Sequence, residues 1–392
     1  MNVLIVYAKA GGGHQSVARA LEEGFRRRYG DAVSVSLLDI MEDYAPFPMN
    51  KFPAIYPMLT RGGGQVWHAI YASTDGDIQA RLISRAWWPM VRKRVERVVN
   101  PHEIDLVVSV YPLLNRVIGK ILGHLPRRPK FAVLVTDLGT AHALWVAKEA
   151  DHYLVPTSLV YSRLLELGVP PEKISLVGLP VHPDFSGECT NRAGLRASLG
   201  LCADCPVVLV MGGADGMGRM EKILEAMDER QIGATFVAVA GRNAALKAQL
   251  GNHPWSIDLK ILGYVTDMPR WMRAADLLLT KAGPSTIGEA LASRLPMVLT
   301  GYLPGQEREN VTFVESIGAG IYAPRPQKMA AIVETLVAPE GAAMLAEMKS
   351  KMAQIGQENA TRRSVEVLYR LGNSRHPTPT RTQWVETSAP EE

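Results

Sequence analysis

The feature that most constrains this chain is an alternation. Short, almost wholly apolar runs recur at intervals filled by longer helical stretches. The runs fall at residues 3–7, 106–110, 132–136 and 153–156 in the first half. In the second half they fall at 207–211, 235–240, 277–280 and 297–300. Strands covered on both faces lose the in-and-out alternation of a one-sided sheet and read as continuous apolar runs, so the pattern predicts parallel sheets wrapped by helices. A chain of 392 residues is too long for one ordinary core, and two domains are expected. Gly178-Leu179-Pro180-Val181-His182-Pro183 is a poor helix and a natural linker. The expected fold class is therefore α/β, with two Rossmann-like doubly wound domains at 1–182 and 183–372 and a last helix able to cross back to the first. Residues 373–392 turn rich in Pro, Thr and Ser and lose their apolar period, so a disordered tail is expected.

Composition narrows the class. No apolar run approaches the roughly 18 residues of a spanning helix. The N-terminal run leads straight into glycines without the basic start of a secretory signal, so a cytoplasmic protein is expected. Cys189, Cys202 and Cys205 are too few for a disulfide framework, and the Cys202/Cys205 pair lacks the second pair of a zinc site, which leaves surface thiols as the expectation. Net charge is only +4, but Arg92, Lys93, Arg94, Arg97, Arg127 and Arg128 crowd into 81–130. Such a cluster suits an anionic partner or a solvated helix face. Between 45 and 99, Phe47, Phe52, Tyr56, Trp67, Tyr71, Trp87 and Trp88 stand among prolines and arginines. That mixture fits a membrane interface, and equally an insertion that packs its rings inward.

Glycine turns follow several strands. Met211-Gly212-Gly213-Ala214-Asp215-Gly216 opens a helix, where backbone N–H groups and the helix dipole favour an anion; a tight turn without ligand has the same look. Lys281-Ala282-Gly283-Pro284-Ser285-Thr286 leads into another helix that carries Glu289 one turn in. Its amides could grip a diphosphate and its carboxylate a ribose, or that carboxylate could simply complement the dipole. Leu303-Pro304-Gly305-Gln306-Glu307-Arg308-Glu309-Asn310 offers amide and carboxylate groups of the kind that bind sugar hydroxyls, or a capped surface helix. In the first half, Gly11-Gly12-Gly13-His14 follows the first strand. Ligands bind at such carboxyl ends in doubly wound sheets, although His14 could also cap the helix. Asp75-Gly76-Asp77 is the one pattern that speaks for a metal, and helix capping explains it better.

Taken in order, these motifs resemble glycosyltransferase family 28, and the first half is similar to its monogalactosyldiacylglycerol synthase and diacylglycerol glucosyltransferase group. The likeness rests on Gly11-Gly12-Gly13-His14, Thr136-Asp137-Leu138, Gly178-Leu179-Pro180-Val181, Gly241-Arg242-Asn243, Gly263-Tyr264-Val265-Thr266-Asp267-Met268, Ala282-Gly283-Pro284, Glu289-Ala290-Leu291 and Pro304-Gly305-Gln306-Glu307. It implies a GT-B fold, with the two domains facing across a cleft, and an inverting hexosyltransferase that moves galactose or glucose from a UDP-sugar to diacylglycerol. For the donor it implies Gly212, Gly213, Ala214, Gly283, Ser285 and Thr286 at the diphosphate, Tyr264 and Val265 at the uracil, and Glu289 at the ribose. Gln306 and Glu307 would read the sugar, Asn310 would steady their helix, and Arg242 is a candidate phosphate partner. For the acceptor side, His14 is the expected general base, with Asp137 as the alternative base or as the group that orients His14. Gly12, Gly13, His142 and Trp145 are expected along the acceptor channel. No metal, no other cofactor and no nucleic-acid partner are expected. Anionic lipid at the inner face of the cell membrane is the expected docking surface. Tyr111-Pro112, Ala143 and Ser285 depart from the family pattern, the first two on the acceptor side. Transfer of N-acetylglucosamine to a polyprenyl-linked peptidoglycan precursor, or a UDP-sugar sensor without turnover, are the competing readings.

Overall fold

Each apolar run becomes the interior of a parallel sheet. The structure, a computed structural model, describes residues 1–9, 12–44, 64–99, 104–125, 127–187, 189–212 and 219–374. The first half runs β1 (Asn2–Tyr7), α1 (Gly13–Tyr29), β2 (Ser34–Asp39), α2 (Ile40–Tyr44), α3 (Gln65–Thr74), α4 (Asp77–Val99), β3 (Leu106–Ser109), α5 (Asn115–Gly123), β4 (Lys130–Leu134), β5 (His152–Val155), α6 (Ser158–Glu166) and β6 (Ile174–Leu176). The second half runs α7 (Arg192–Ser198), β7 (Val207–Met211), α8 (Met220–Glu229), β8 (Thr235–Val239), α9 (Ala244–Asn252), β9 (Asp258–Leu262), α10 (Met268–Ala274), β10 (Leu277–Lys281), α11 (Pro284–Ala292), β11 (Met297–Gly301), α12 (Arg308–Ser316), β12 (Gly320–Tyr322), α13 (Pro326–Val337), α14 (Ala342–Ile355) and α15 (Ala360–Asn373).

The strands form two six-stranded parallel sheets, ordered β2-β1-β3-β4-β5-β6 and β12-β11-β10-β7-β8-β9. All eight expected strands are present. The four that the apolar runs did not announce, β2, β6, β9 and β12, are the sheet edges, and their residues are partly exposed.

The halves are tied at the linker. Val181 N–H donates to Thr361 Oγ1 at 3.0 Å and Leu179 N–H to Gln357 Oε1 at 3.3 Å, so the buried polar groups around the start of α15 satisfy the linker backbone. From there α15 returns to the first domain and lies along α1, where Tyr369 stacks on Tyr29 with ring centroids 4.0 Å apart. Leu179, Val181 and Phe185 belong to one apolar cluster that runs through both halves.

One expectation changes here. Cys202 and Cys205 are not free thiols. The loop between them closes on itself with Cα atoms 5.4 Å apart and the two sulfurs bonded, a spacing that a disulfide needs. In the 45–99 segment Trp87 and Trp88 pack on the core of the first domain, the inward packing that is one of the two readings of this stretch. What the helices expose instead is aliphatic, with Val66 60%, Ile70 39%, Ile78 71% and Leu82 59% exposed. Phe47, Phe52 and Tyr56, the side chains of Arg94 and Arg97, and residues 375–392 lie outside the described residues. Among those described, no single helix is long and apolar enough to cross a membrane. A bent pair of α13 with the helices after it passes on length and composition, but α13 packs on α8 and α15 on α1.

Candidate active site

The carboxyl ends of β1 and β10 feed two helices whose N-termini meet. Gly12 holds φ +80°, a left-handed conformation suited to glycine, and launches α1 without a side-chain cap. Gly283 and Pro284 launch α11, with proline at the first helical position where a missing N–H costs nothing. A Cβ on Gly13 would stand 3.0 Å from Ser285 Oγ, so the two helix mouths face each other at close quarters. Gly212 closes β7 nearby in the same sheet, while Gly213 and Ala214, with Asp215 and Gly216, lie outside the described residues.

His14 is the second residue of α1, and it does not cap the helix. Its Nδ1 lies 3.1 Å from Thr136 Oγ1. Its ring stands edge-on to Tyr111 at 5.2 Å and tilts toward Trp145 at 6.2 Å. Burial lowers its pKa to about 4, against a smaller upward pull from the Val110 carbonyl. The imidazole is therefore neutral at pH 7 and able to take a proton.

Asp137 has no hydrogen bond to His14, so the group that orients the imidazole is the preceding residue, Thr136. The two neighbours part after the end of β4: Thr136 meets His14, while Asp137 meets Trp145 and Gln306. Asp137 is buried, and its Oδ2 accepts the Trp145 indole N–H at 2.7 Å while Oδ1 accepts from Gln306 Nε2 at 3.4 Å. Burial raises its pKa to about 6; the bonds from Trp145 and Gln306 pull it down, and Glu307 pushes it up.

His142 and Trp145 are buried. His142 Nδ1 accepts the Leu144 N–H at 3.1 Å and Nε2 lies 3.2 Å from Thr74 Oγ1, which ties the loop after β4 to the end of α3. Asp75 accepts the Ala143 N–H at 2.8 Å and pairs with Arg163, and Asp77 pairs with Arg81 and Arg116. The Asp-Gly-Asp pattern is thus occupied by arginines and a backbone amide. Among the described residues no group of three or more His, Cys, Asp or Glu side chains could hold a metal.

On the other side of the cleft, Glu289 sits one turn into α11. Its carboxyl is pushed up to about 8 by burial alone. Ser285 and Thr286 are half-buried at the helix mouth. The Arg242 guanidinium lies 5.0 Å above the exposed Tyr264 ring, and the neighbouring Val265 packs on the core. Glu307 is buried with both oxygens engaged: Oε1 pairs with Lys281 Nζ at 2.7 Å and Oε2 accepts the Leu303 N–H at 2.8 Å. It shapes the loop that presents Gln306. Asn310 is a clasp between domains, its Oδ1 accepting the Gly139 N–H at 3.0 Å and its Nδ2 donating to the Ala282 carbonyl at 2.9 Å. Gly139 fits only as glycine, because a Cβ there would stand 2.3 Å from the Glu309 carbonyl carbon. Thr136 and Lys281 stand inside the sequence motifs without a role assigned to either, and Gly139 carries no motif signal of its own.

Two facing doubly wound domains with opposed helix mouths at the sheet ends define the GT-B class of glycosyltransferase. Residues 14–181 match the monogalactosyldiacylglycerol (MGDG) synthase family, and residues 207–386 match the glycosyltransferase family 28 C-terminal domain. Monogalactosyldiacylglycerol synthase 1, chloroplastic, of Arabidopsis thaliana is 30% identical over 95% of this chain and 70% of its own length. A probable monogalactosyldiacylglycerol synthase, chloroplastic, of Glycine max is 32% identical over 96% and 72%. Among solved structures, Acinetobacter baumannii MurG is 18% identical with a TM-score of 0.60 over 94% of this chain and 99% of that one. Anabaena Alr3699/HepE in complex with UDP and glucose is 15% identical with a TM-score of 0.57 over 94% and 100%. The chain belongs to the monogalactosyldiacylglycerol synthase family within glycosyltransferase family 28 and is a sugar-transferring enzyme.

Proposed function

We propose that this enzyme transfers galactose or glucose from a UDP-sugar to the free hydroxyl of diacylglycerol, with inversion, giving a β-linked glycolipid. The observation that carries this reading is the closeness of the α1 and α11 mouths, with a neutral His14 on one side and Ser285, Thr286 and Glu289 on the other. Residues 183–372 bind the donor. Amides after Gly212 and at the start of α11 hold the diphosphate, Glu289 takes the ribose hydroxyls, Tyr264 and Val265 frame the uracil with Arg242 beside them, and Gln306 reads the hexose from the loop that Glu307 and Asn310 brace. The relatives' names supply the acceptor, and the neighbour solved with UDP and glucose supports the donor.

The tautomer of His14 that acts as base carries its proton on Nδ1, where Thr136 Oγ1 can accept it at 3.1 Å, and leaves the lone pair on Nε2. The acceptor hydroxyl loses its proton to that nitrogen as its oxygen bonds to the anomeric carbon. The bond from that carbon to the phosphate oxygen breaks on the opposite side. UDP departs with the electron pair, and the helix-mouth amides stabilise its charge. Residues 1–182 take the acceptor and dock on the inner face of the cell membrane through the exposed aliphatic stripe of α3 and α4, where Arg81, Arg85, Arg92 and Lys93 meet anionic lipid.

Purified protein supplied with diacylglycerol vesicles and each UDP-sugar in turn, with the product lipid identified by mass spectrometry, tests the reading. A monohexosyl diacylglycerol that still forms with chelator present is expected. Hydrolysis of the donor without a lipid product, or no turnover with either sugar, would refute it.

A further inference from the structure

One buried hydroxyl in the cleft has no part in the reaction just described. Helix α3 reaches across to the second domain, since a Cβ on Gly305 would stand 2.8 Å from His68 Nδ1 and one on Gly64 2.7 Å from Leu303 Cδ1. It therefore lies on the very loop that carries Gln306. Three residues after His68, on the same helix face, comes Tyr71. Its ring stands edge-on to His142 with centroids 4.7 Å apart, and His142 Nε2 lies 3.3 Å from the Tyr71 carbonyl. The ring is thus held in place.

The Tyr71 hydroxyl is buried with no hydrogen-bond partner among the described residues, and so is Glu309 Oε2. Burial raises the Tyr71 pKa well above the usual phenol range, with the charges of Asp137, Asp75 and Glu309 adding to the effect and Arg163 opposing. Glu309 in turn is pressed against Gly139, two residues from Asp137. A phenol and a carboxylate oxygen left unsatisfied on the segments that border the Gln306 loop, with Asp137 bound at Oδ2 by Trp145 and at Oδ1 by Gln306 at 3.4 Å, form a set of donors and acceptors that a polyhydroxylated ligand completes.

We propose that Tyr71 is a specificity-determining residue whose hydroxyl hydrogen-bonds a hydroxyl of the hexose carried by the UDP-sugar, in a pocket completed by Asp137, Gln306 and Glu309. The proposal rests on the donor reading above. The occupant is the donor hexose rather than the lipid acceptor because the pocket is built on the Gln306 loop and on Asp137, which that glutamine bonds. Helix α3 thereby links the surface that docks to lipid with the reading of the sugar.

Tyr71→Phe removes the hydroxyl and keeps the ring, and calorimetric titration of wild type and variant with UDP, UDP-galactose and UDP-glucose reads the effect. UDP affinity should stay within about twofold, while affinity for one UDP-hexose should fall by about tenfold, as loss of one hydrogen bond to a buried group predicts. The ratio of kcat/KM between the two donors should shift by several-fold. Equal losses for UDP and UDP-hexose would make Tyr71 a structural residue and overturn the proposal, as would unchanged titrations or an effect confined to KM for the lipid. Should wild type bind no UDP at all, the donor reading itself fails, a result distinct from a variant that merely matches wild type.

Discussion

Which residue removes the acceptor's proton is decided by two buried groups with opposite shifts. Burial disfavours charge in both, lowering His14 to about 4 and raising Asp137 to about 6. A base must be unprotonated to act. With His14 as base, kcat/KM falls as pH drops through about 4, whereas a base at Asp137 gives a fall through about 6. A pH profile of kcat/KM, which reports the free enzyme, is expected to stay flat from pH 7 to below 6 and to lose activity only near 4. The position of His14 after the triple glycine could be read from the sequence, because strand ends are where doubly wound sheets bind ligands. Its partner could not: Thr136 and Asp137 are adjacent, and only the folded path of the chain after β4 decides which side chain meets the imidazole.

Among the elements, α3 and α4 carry the surface that sets this enzyme beside its acceptor. Val66 and Ile70 on α3, and Ile78 and Leu82 on α4, are spaced four apart and expose one stripe per helix. Replacing Ile78 and Leu82 by serine removes apolar area without opening the core, so vesicle sedimentation should drop several-fold with Tm unchanged. An undiminished pellet would remove these helices from membrane docking. The sequence marked this segment by its aromatics, yet Trp87 and Trp88 pack on the core and the aliphatics face out. Composition names the residues of an amphipathic segment, while helical phase assigns them to faces. The Asn310 clasp makes a second test at this scale. Asn310→Ala leaves the Gly139 N–H and the Ala282 carbonyl without their partner, which should cost about 1–3 kcal/mol in denaturant unfolding. Loss below about 0.5 kcal/mol would mean that water replaces the amide without penalty.

At the scale of the whole molecule, the two-sheet plan was legible because central strands are buried on both faces and read as apolar runs. The edges β2, β6, β9 and β12 escaped notice since one side of each is partly wet and the run is broken by polar residues such as Ser34, Ser36 and Lys260. Motif order located both halves of the cleft, but not their closeness. That depends on contacts far apart in sequence: Gln357 and Thr361 on the linker, Asn310 on Gly139, and Gln306 on Asp137. The most direct measurement is a comparison of His14→Ala with wild type, in which UDP affinity is read by calorimetry and sugar transfer to diacylglycerol by product formation. UDP affinity within about twofold of wild type, with turnover reduced by about 10²-fold or more, is the expected result. Turnover close to wild type would contradict the assignment of His14 as base.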